Sequence, residues 1–353
     1  MKAGMSPRVS VILTAYNAER YLPEAMDSLL AQTLQDFEII AVDDCSTDGT
    51  QGILAGYAAR DDRVRVIRND SNVGAYASAN RALELAAAPL IARMDADDIS
   101  RPDRLAKQVG FLDAHPDHML VASSYESIDE NGAVRYRKLK GAADPLVRWV
   151  FRFRMAVEHP SMCFRAAFPD GTPVRYRDDL RVAADYELCL RLIAAGKACV
   201  LPETLISYRT HDANITSNNR TVQRENGYAF ARDFHMSTMP ASTIEGWDSV
   251  SKSYFLGEAA TSNSIRIGAV AMRQMIRIET GDQKEQSRQL KKLTAGLLTD
   301  AFLVRGKAIR HPATFAAFLW YCREYVLSLT ARIIEEREFL FFRMRKITKN
   351  FSF

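Results

Sequence analysis

Pro89-Leu90-Ile91-Ala92-Arg93-Met94-Asp95-Ala96-Asp97-Asp98 is an apolar run that stops on three carboxylates. An apolar stretch of this length, 90–94, reads as a buried strand. Three acids this close repel one another, so a fold gains nothing from them unless something positive sits between. The D-x-D spacing at the tip of a buried strand suits an octahedral Mg2+ or Mn2+ that also holds a diphosphate.

Working outward, the first hundred residues alternate between strand and helix signals. Val9-Ser10-Val11-Ile12-Leu13 is β-branched and apolar, as expected of a strand buried on both faces. The polar turn Thr14-Ala15-Tyr16-Asn17-Ala18-Glu19 follows. A helix then carries Leu22, Ala25, Met26 and Leu29 at helical spacing, with Pro23 tolerated in its first turn. Phe37-Glu38-Ile39-Ile40-Ala41-Val42 is the second strand, closed by Asp43-Asp44. Asp48-Gly49-Thr50 opens another helix, capped by Asp48 or Ser46. Val64-Arg65-Val66-Ile67 is a short third strand, and Asn72-Val73-Gly74 turns into a helix over 75–87.

This alternation predicts an α/β fold, a mostly parallel sheet flanked by helices and joined by right-handed crossovers. Ligands of such sheets sit beyond the carboxyl ends of the strands. Those ends are Thr14 to Asn17, Asp43-Asp44 and Asp95 to Asp98, so the polar residues converge on one rim. Over 110–209 the signals are mixed, with a strand at Val134-Arg135-Tyr136 and a helix over 184–195 closed by Gly196. Beyond about residue 215 helical stretches dominate, at 221–234, 250–278, 283–305 and from 313 to the end. The expected organisation is a catalytic domain over 1–220 and an α-helical extension over 221–353.

Composition narrows the class. The 353 residues are 47% hydrophobic and 25% charged, an ordinary globular balance, and a net charge of +4 does not point to nucleic acid. Cys45, Cys163, Cys189, Cys199 and Cys322 are scattered, which argues against a zinc site or disulfide framework and fits a reducing cytoplasm. Lys2 and Arg8 are followed by no long apolar stretch, so no signal peptide is expected. The best spanning candidate, 313–329, is broken by Arg323 and Glu324. A cytoplasmic protein, soluble or peripheral on the membrane, is expected.

Neither G-x-G-x-x-G nor a P-loop follows the first strand. The rim offers carboxylates and backbone amides instead, which suggests a divalent cation bridging Asp side chains and phosphate oxygens. At this point the chain resembles the inverting family 2 glycosyltransferases. Val9 to Asn17 and Val42-Asp43-Asp44-Cys45-Ser46-Thr47-Asp48-Gly49-Thr50 look like the opening of that family. Asn72-Val73-Gly74 with Asn80-Arg81 resembles its glycine and Asn-Arg helix. Asp95-Ala96-Asp97-Asp98, followed by Arg101-Pro102-Asp103-Arg104-Leu105, resembles its metal motif. The similarity continues through His159-Pro160-Ser161, Asp185-Tyr186-Glu187-Leu188 and Tyr208-Arg209-Thr210-His211, covering roughly 8–217.

The resemblance implies a GT-A fold, a nucleotide-sugar donor, Mg2+ or Mn2+, and inversion at the anomeric carbon. Carried over to these positions, Thr14, Ala15, Tyr16 and Glu19 would line the nucleoside pocket, with Asp44 on a pyrimidine N3-H and Tyr16 stacked on the base. Asp95 would approach the ribose and the metal-diphosphate, Asp97 would be the metal ligand, and Asp98 a third acid. Arg81 would touch a phosphate or an acid, His211 the metal or a phosphate, and Arg209 would offset diphosphate charge. Asp185 matches the family's base, with Asp178 and Asp179 as the nearby alternatives. Family members often carry Glu-Asp there, whereas this chain has Ala184-Asp185.

Plainer readings of the same residues stand beside these. Asp43 and Asp44 would cap the following turn, His159 would be a satisfied core histidine, and Asp185 a helix cap. Phe339-Leu340-Phe341-Phe342-Arg343-Met344-Arg345-Lys346-Ile347-Thr348-Lys349 joins an apolar face to four basic residues, as suits a helix on an anionic bilayer, a buried helix or an oligomer contact. The expected activity is hexosyl transfer from a nucleoside diphosphate, with UDP preferred over dTDP, to a hydroxyl of a surface polysaccharide or lipid-linked glycan. The alternatives are a catalytically silent glycan-binding scaffold and a nucleotide-sugar pyrophosphorylase. Thr14-Ala15-Tyr16-Asn17 counts against the latter, which calls for a glycine-rich signature with a basic residue.

Overall fold

The computed structural model describes residues 6–138, 141–211, 220–256 and 262–280, together with 287, 289, 290, 291 and 294. The chain divides into two compact units, Met1–Phe234 and His235–Phe353. The boundary expected near residue 220 coincides with the start of a helix, α7 (Arg220–Thr238), within which the division falls.

In the first unit β1 (Val9–Ala15), β2 (Phe37–Asp43), β3 (Val64–Arg68) and β4 (Leu90–Asp95) alternate with α1 (Leu22–Leu30), α2 (Thr50–Arg60) and α3 (Ala75–Leu83). The four strands pair in parallel in the order β3-β2-β1-β4. Every residue of β2 is buried, and so are all of β4 but Asp95, because helices cover both faces of such a sheet. Helix α3 is shorter than its sequence suggests. The amide of Ala87 donates to the buried Glu38 Oε1 at 2.9 Å, which also accepts from Ser10 Oγ at 2.6 Å, so the alanine tail leaves the helix to satisfy this carboxylate.

The second half of the sheet is mixed. After β5 (Ile99–Ser100) and α4 (Arg104–Ala114) come β6 (His118–Ile128), β7 (Val134–Lys138), α5 (Asp144–Phe151), a single 3-10 turn at His159–Ser161, and β8 (Cys163–Arg165). Helix α6 (Ala184–Ala195) and the long strand β9 (Lys197–Arg209) complete it. Strand β8 runs antiparallel between β4 and β6, β6 pairs in parallel with β9, and β9 pairs antiparallel with β5. Strand β9 therefore ends directly beside the acidic turn that β4 enters. The expectation of an α/β sheet flanked by helices holds, with antiparallel pairs joining the parallel half to β9.

In the second unit α8 (Ile244–Phe255) and α9 (Ser262–Thr280) stand in place of the one helix expected over 250–278, α8 starting earlier and α9 ending later, and Leu256 is in a turn. The two helices cross closely at glycines. A Cβ on Gly246 would lie 2.2 Å from Ala271 Cβ, and one on Gly268 2.7 Å from Val250 Cγ2. The helices expected over 283–305 and beyond 313, including the basic segment 339–349, lie outside the described residues apart from the few positions named above.

Phe37 anchors the β1–β2 core with no exposed surface. Phe37→Ala removes a fully buried ring and leaves a cavity, so urea unfolding should show a loss of about 3–5 kcal/mol.

Candidate active site

The carboxyl ends of β1 and β2 are fastened together by their loops. Asn17 sits at φ 49°, a left-handed conformation that asparagine tolerates. From there its Oδ1 accepts from the Thr47 amide at 2.9 Å, while its own amide donates to Ser46 Oγ at 3.0 Å. Glu19 Oε2 accepts from the Gly49 amide at 2.6 Å, so this carboxylate serves as a loop tie. Ala15 is buried and its carbonyl accepts from the Asp44 amide at 2.8 Å. Tyr16 stands out from this rim with 51% of its surface exposed.

The adjacent acids do different work. Asp43 Oδ1 takes the Ser46 amide at 3.0 Å and so caps the turn. Asp44 reaches across to the segment after β3. Its Oδ1 accepts from Asn69 Nδ2 at 2.7 Å and the Val73 amide at 2.9 Å, and its Oδ2 from the Gly74 amide at 2.8 Å. A carboxylate has about four acceptor positions, so one remains on Oδ2. Gly74 adopts φ 94° and ψ 160°, a region essentially closed to other residues, and that conformation aims its amide at Asp44. Arg81 donates to Asn69 Oδ1 and to the Arg68 carbonyl, one link away from Asp44.

At the end of β4 the sheet buries a cation. Arg93 is 2% exposed, with NH1 donating to the carbonyls of Ile12 at 2.9 Å and Met94 at 2.6 Å. Its NH2 donates to Thr14 Oγ1 at 2.7 Å and pairs with Asp95 Oδ1 at 3.0 Å. Thr14 and Asp95 are register partners on neighbouring strands, so one guanidinium ties the two strand tips together.

Beyond Asp95 the acids lack such compensation. Asp97 Oδ2 lies 2.9 Å from His211 Nε2, but burial and then the charge of Asp95 push its pKa up. Asp98 is fully buried. Its Oδ1 accepts from the Arg209 amide at 2.8 Å, and Oδ2 has no hydrogen-bond partner. Burial, then Asp97 and Asp95, hold its pKa well above the ordinary carboxylate range. The Arg209 guanidinium is itself 2% exposed and turned inward, onto the Asp97 carbonyl at 2.8 Å and the Glu24 carboxylate. With its amide on Asp98 and its guanidinium on the Asp97 carbonyl, Arg209 braces the acidic turn.

Among the described residues no group of three His, Cys, Asp or Glu side chains is arranged to hold a metal ion. The donors present nevertheless fit a hard divalent cation. Mg2+ usually takes one or two protein carboxylates and completes its shell with water and phosphate oxygens. Asp95 and Asp97 are carboxylates of that kind, His211 lies against Asp97, and the negative charge crowded in this turn favours a cation.

Asp185 occupies the first turn of α6. Ala183, just before that helix, sits at φ 63° in the left-handed region and contributes no side-chain cap. Asp185 Oδ1 accepts from the amide of Tyr186 at 2.8 Å. The two alternatives are engaged elsewhere: Asp178 with Asn80 Nδ2 at 2.6 Å, and Asp179 with Arg177 at 2.6 Å. Around Asp185 lie Tyr76, Tyr176 and His159, the last with Nε2 2.7 Å from the Tyr176 hydroxyl. Burial, and then the charge of Arg93, lower the His159 pKa and favour a neutral ring. Arg93 and Asp95 act on both His159 and Tyr176, so the base candidate and the acidic turn border one aromatic cluster.

Sequence reasoning passed over Arg93, Asn69, Tyr76 and Tyr176. Arg93 had a visible signal, a lone cation inside an apolar run. The other three had none.

Because Asp98 holds its proton more tightly folded than unfolded, it favours folding at low pH. That contribution is lost as pH rises from the ordinary carboxylate range through its raised folded value. Asp98→Asn keeps an acceptor for the Arg209 amide and removes the charge. Its melting temperature should exceed that of the parent at pH 7, with the difference shrinking toward pH 4.

Residues 10–170 match the family described as Glycosyl transferase family 2. An uncharacterized glycosyltransferase of Methanocaldococcus jannaschii is 34% identical over 208 residues, 58% of this chain and 71% of that one. One of Haemophilus influenzae is 31% identical over 236 residues, 64% and 73% of the respective chains. EpsE of Bacillus subtilis, a glycosyltransferase by name, is 43% identical over 140 residues, 39% of this chain and half of its own length. Among solved structures, S. aureus TarS 1–349 in complex with UDP-GlcNAc superposes with a TM-score of 0.58 at 18% identity, covering 91% of this chain and 92% of that one. The mannosyltransferase PcManGT of Pyrobaculum calidifontis, in complex with GDP-Man and Mn2+, gives 0.51 at 17%, covering 89% and 88%. With these relatives, and with the sheet and rim described above, the chain belongs to glycosyl transferase family 2 and has the GT-A fold.

Proposed function

We propose that this chain is an inverting glycosyltransferase that moves a hexosyl group from a nucleoside diphosphate sugar to an acceptor hydroxyl. The observation that carries the reading is the convergence of unlike groups on one rim: an exposed aromatic beside a carboxylate held by amides, an under-compensated acidic turn, and a separate acid on α6. Tyr16 would stack on the nucleobase, while the remaining acceptor position of Asp44 Oδ2 would take an imide N–H. A pyrimidine with a protonated N3 meets that demand, and UDP is the expected carrier. Thr14, Ala15 and Glu19 shape this pocket through Arg93, the Asp44 amide and Gly49, and Arg81 supports it through Asn69.

Asp97, with Asp95 and His211, would hold Mg2+ or Mn2+, which as a Lewis acid would offset the charge of the departing diphosphate. Arg93 pairs with Asp95 at 3.0 Å and holds it at the strand tip. Asp185 would accept the proton of the acceptor hydroxyl as its oxygen bonds to the anomeric carbon and the bond to the diphosphate breaks, with inversion. The ligands of TarS and PcManGT, UDP-GlcNAc in one and GDP-Man with Mn2+ in the other, support a nucleotide-sugar donor and a divalent cation without choosing the base.

The acceptor belongs to the same proposal: a surface polysaccharide or lipid-linked glycan at the cytoplasmic face of a membrane. No described helix is long and apolar enough to cross a bilayer. The basic segment 339–349 would hold the helical extension, 221–353, on an anionic surface or against a second copy.

The test is thermal stability of the full chain with UDP, dTDP and GDP, each with and without Mn2+. Ligands bound only by the folded state raise the melting temperature, by about 2.7 kcal/mol of stability at a hundredfold excess over Kd. UDP with Mn2+ should raise it, and Asp97→Ala should abolish the Mn2+ requirement together with most of the shift. No shift with any nucleotide would sink the transferase reading in favour of a silent scaffold.

A further inference from the structure

Two donors close one oxygen of the Asp44 carboxylate. Oδ1 accepts from Asn69 Nδ2 at 2.7 Å and from the Val73 amide at 2.9 Å, whereas Oδ2 accepts from the Gly74 amide at 2.8 Å. Each carboxylate oxygen offers about two acceptor positions, so Oδ1 is saturated and Oδ2 keeps one. Of these three donors, two belong to the backbone of one turn. The third, from Asn69, is a side chain.

Asn69 has no freedom to turn away. It is buried, and its main-chain amide donates to the Asp43 carbonyl at 2.9 Å. Nδ2 also donates to Ser78 Oγ at 2.8 Å, while Oδ1 accepts from the Arg81 guanidinium. A guanidinium only donates, so the side-chain atom that meets Arg81 must be the oxygen. The nitrogen is thereby turned toward Asp44 and Ser78. Ser78 and Arg81 both belong to α3, so one helix sets the orientation of the amide that fills Oδ1. The Asp44 main chain is fixed as well, its amide on the Ala15 carbonyl at 2.8 Å.

The count of open positions matters because nucleobases differ in the donors along their pairing edge. Uracil and thymine present one imide donor, N3–H, and hypoxanthine presents one, N1–H. Guanine presents two side by side, N1–H and an amino hydrogen on N2, a pair that fits both oxygens of one carboxylate. Cytosine and adenine present a bare ring nitrogen, an acceptor, at the same place. With Oδ1 filled, Asp44 can satisfy a single donor through Oδ2, but the second donor of guanine meets an oxygen with no position left. A donor enclosed without an acceptor forfeits its bond to water and gains none in return.

We propose that Asn69 is a specificity-determining residue: by filling Oδ1 it makes Asp44 an acceptor for bases with one imide donor and disfavours guanine nucleotides. This rests on Asp44 being the nucleobase contact of the proposed function. The selection is made by hydrogen-bond count, so it acts even between bases of nearly the same size.

The test uses such a pair. Dissociation constants of UDP, IDP and GDP are measured by titration calorimetry on the full chain with Mn2+. IDP and GDP differ only in the N2 amino group. The parent should bind IDP more tightly than GDP, on the order of 10-fold. Asn69→Ala opens a position on Oδ1, and the preference for IDP should vanish or reverse. UDP should still bind, because the Val73 and Gly74 amides continue to hold the carboxylate. A merely structural role for Asn69 would weaken all three nucleotides alike. Asn69→Ser, whose hydroxyl is one bond shorter and out of reach of Oδ1, repeats the measurement should the alanine variant melt too low.

Equal affinity for IDP and GDP in the parent, or a preference for IDP that survives in the variants, overturns the role of Asn69. Rejection of both purines by parent and variants alike assigns the selection to pocket volume and overturns it too. In each of these cases, binding of UDP leaves the proposed function standing. A parent that binds no nucleotide sinks the proposed function, and the specificity role falls with it.

Discussion

The Arg93 guanidinium lies under the tips of two parallel strands with almost no access to water, and the arrangement of the rim depends on how its charge is distributed. Burying such a group is costly unless it is paired and hydrogen-bonded. Two carbonyls, the Thr14 hydroxyl and the Asp95 carboxylate meet that demand, and all lie at the ends of β1 and β4. The strand tips are thereby locked in register, and Asp95 is held against the guanidinium. The negative charge further along the turn is left to Asp97 and Asp98, where burial and mutual repulsion oppose it. The protein neutralises one acid from within and leaves the next under-compensated at the rim.

A second division of charge separates the two chemical tasks proposed for the site. On the acidic turn, groups of like charge are crowded together. Around Asp185 the neighbours are two phenols and an imidazole held toward its neutral form. An acid meant to accept a proton works best without a fixed cation beside it, whereas acids meant for a divalent ion benefit from crowding. Arg93 stands between these regions and is tied to the acidic one.

The four parallel strands were legible nearly residue for residue: β1, β2 and β4 are buried on both faces and leave near-continuous apolar runs, while β3, half exposed, shows as the alternation Val64-Arg65-Val66. Strands β6 and β9 were not. Ser123, Ser124, Glu126 and Ser127 are buried in β6, and the last three find their side-chain partners far along the chain, such as Ser207 on Glu126 and the Leu201 carbonyl on Ser124. Strand β9 carries Pro202-Glu203-Thr204 where its pairing with β6 shifts register. In the site, residue types marked the acids, while their partners were hidden. Nothing local announces that Asp44 is occupied by the amides of Val73 and Gly74, that the Arg209 guanidinium is buried, or that Asn80 of α3 holds the backbone of Tyr176.

The pairing of the acidic turn with the end of β9 also bears on the order in which the chain folds. Asp98 and Arg209 are 111 residues apart, and His211 meets Asp97 across 114. During synthesis, the β1 to β4 layer can form from contacts within the first hundred residues, since domains tend to organise from the N-terminus onward. Its acids must then wait, repelling one another, until the ribosome has released the strand that carries their braces. Closing so long a loop is slow. A nascent or truncated chain ending before β9 therefore carries a formed β1–β2 rim beside an unfinished acidic turn, and the translation of Arg209 and His211 is the step that completes it.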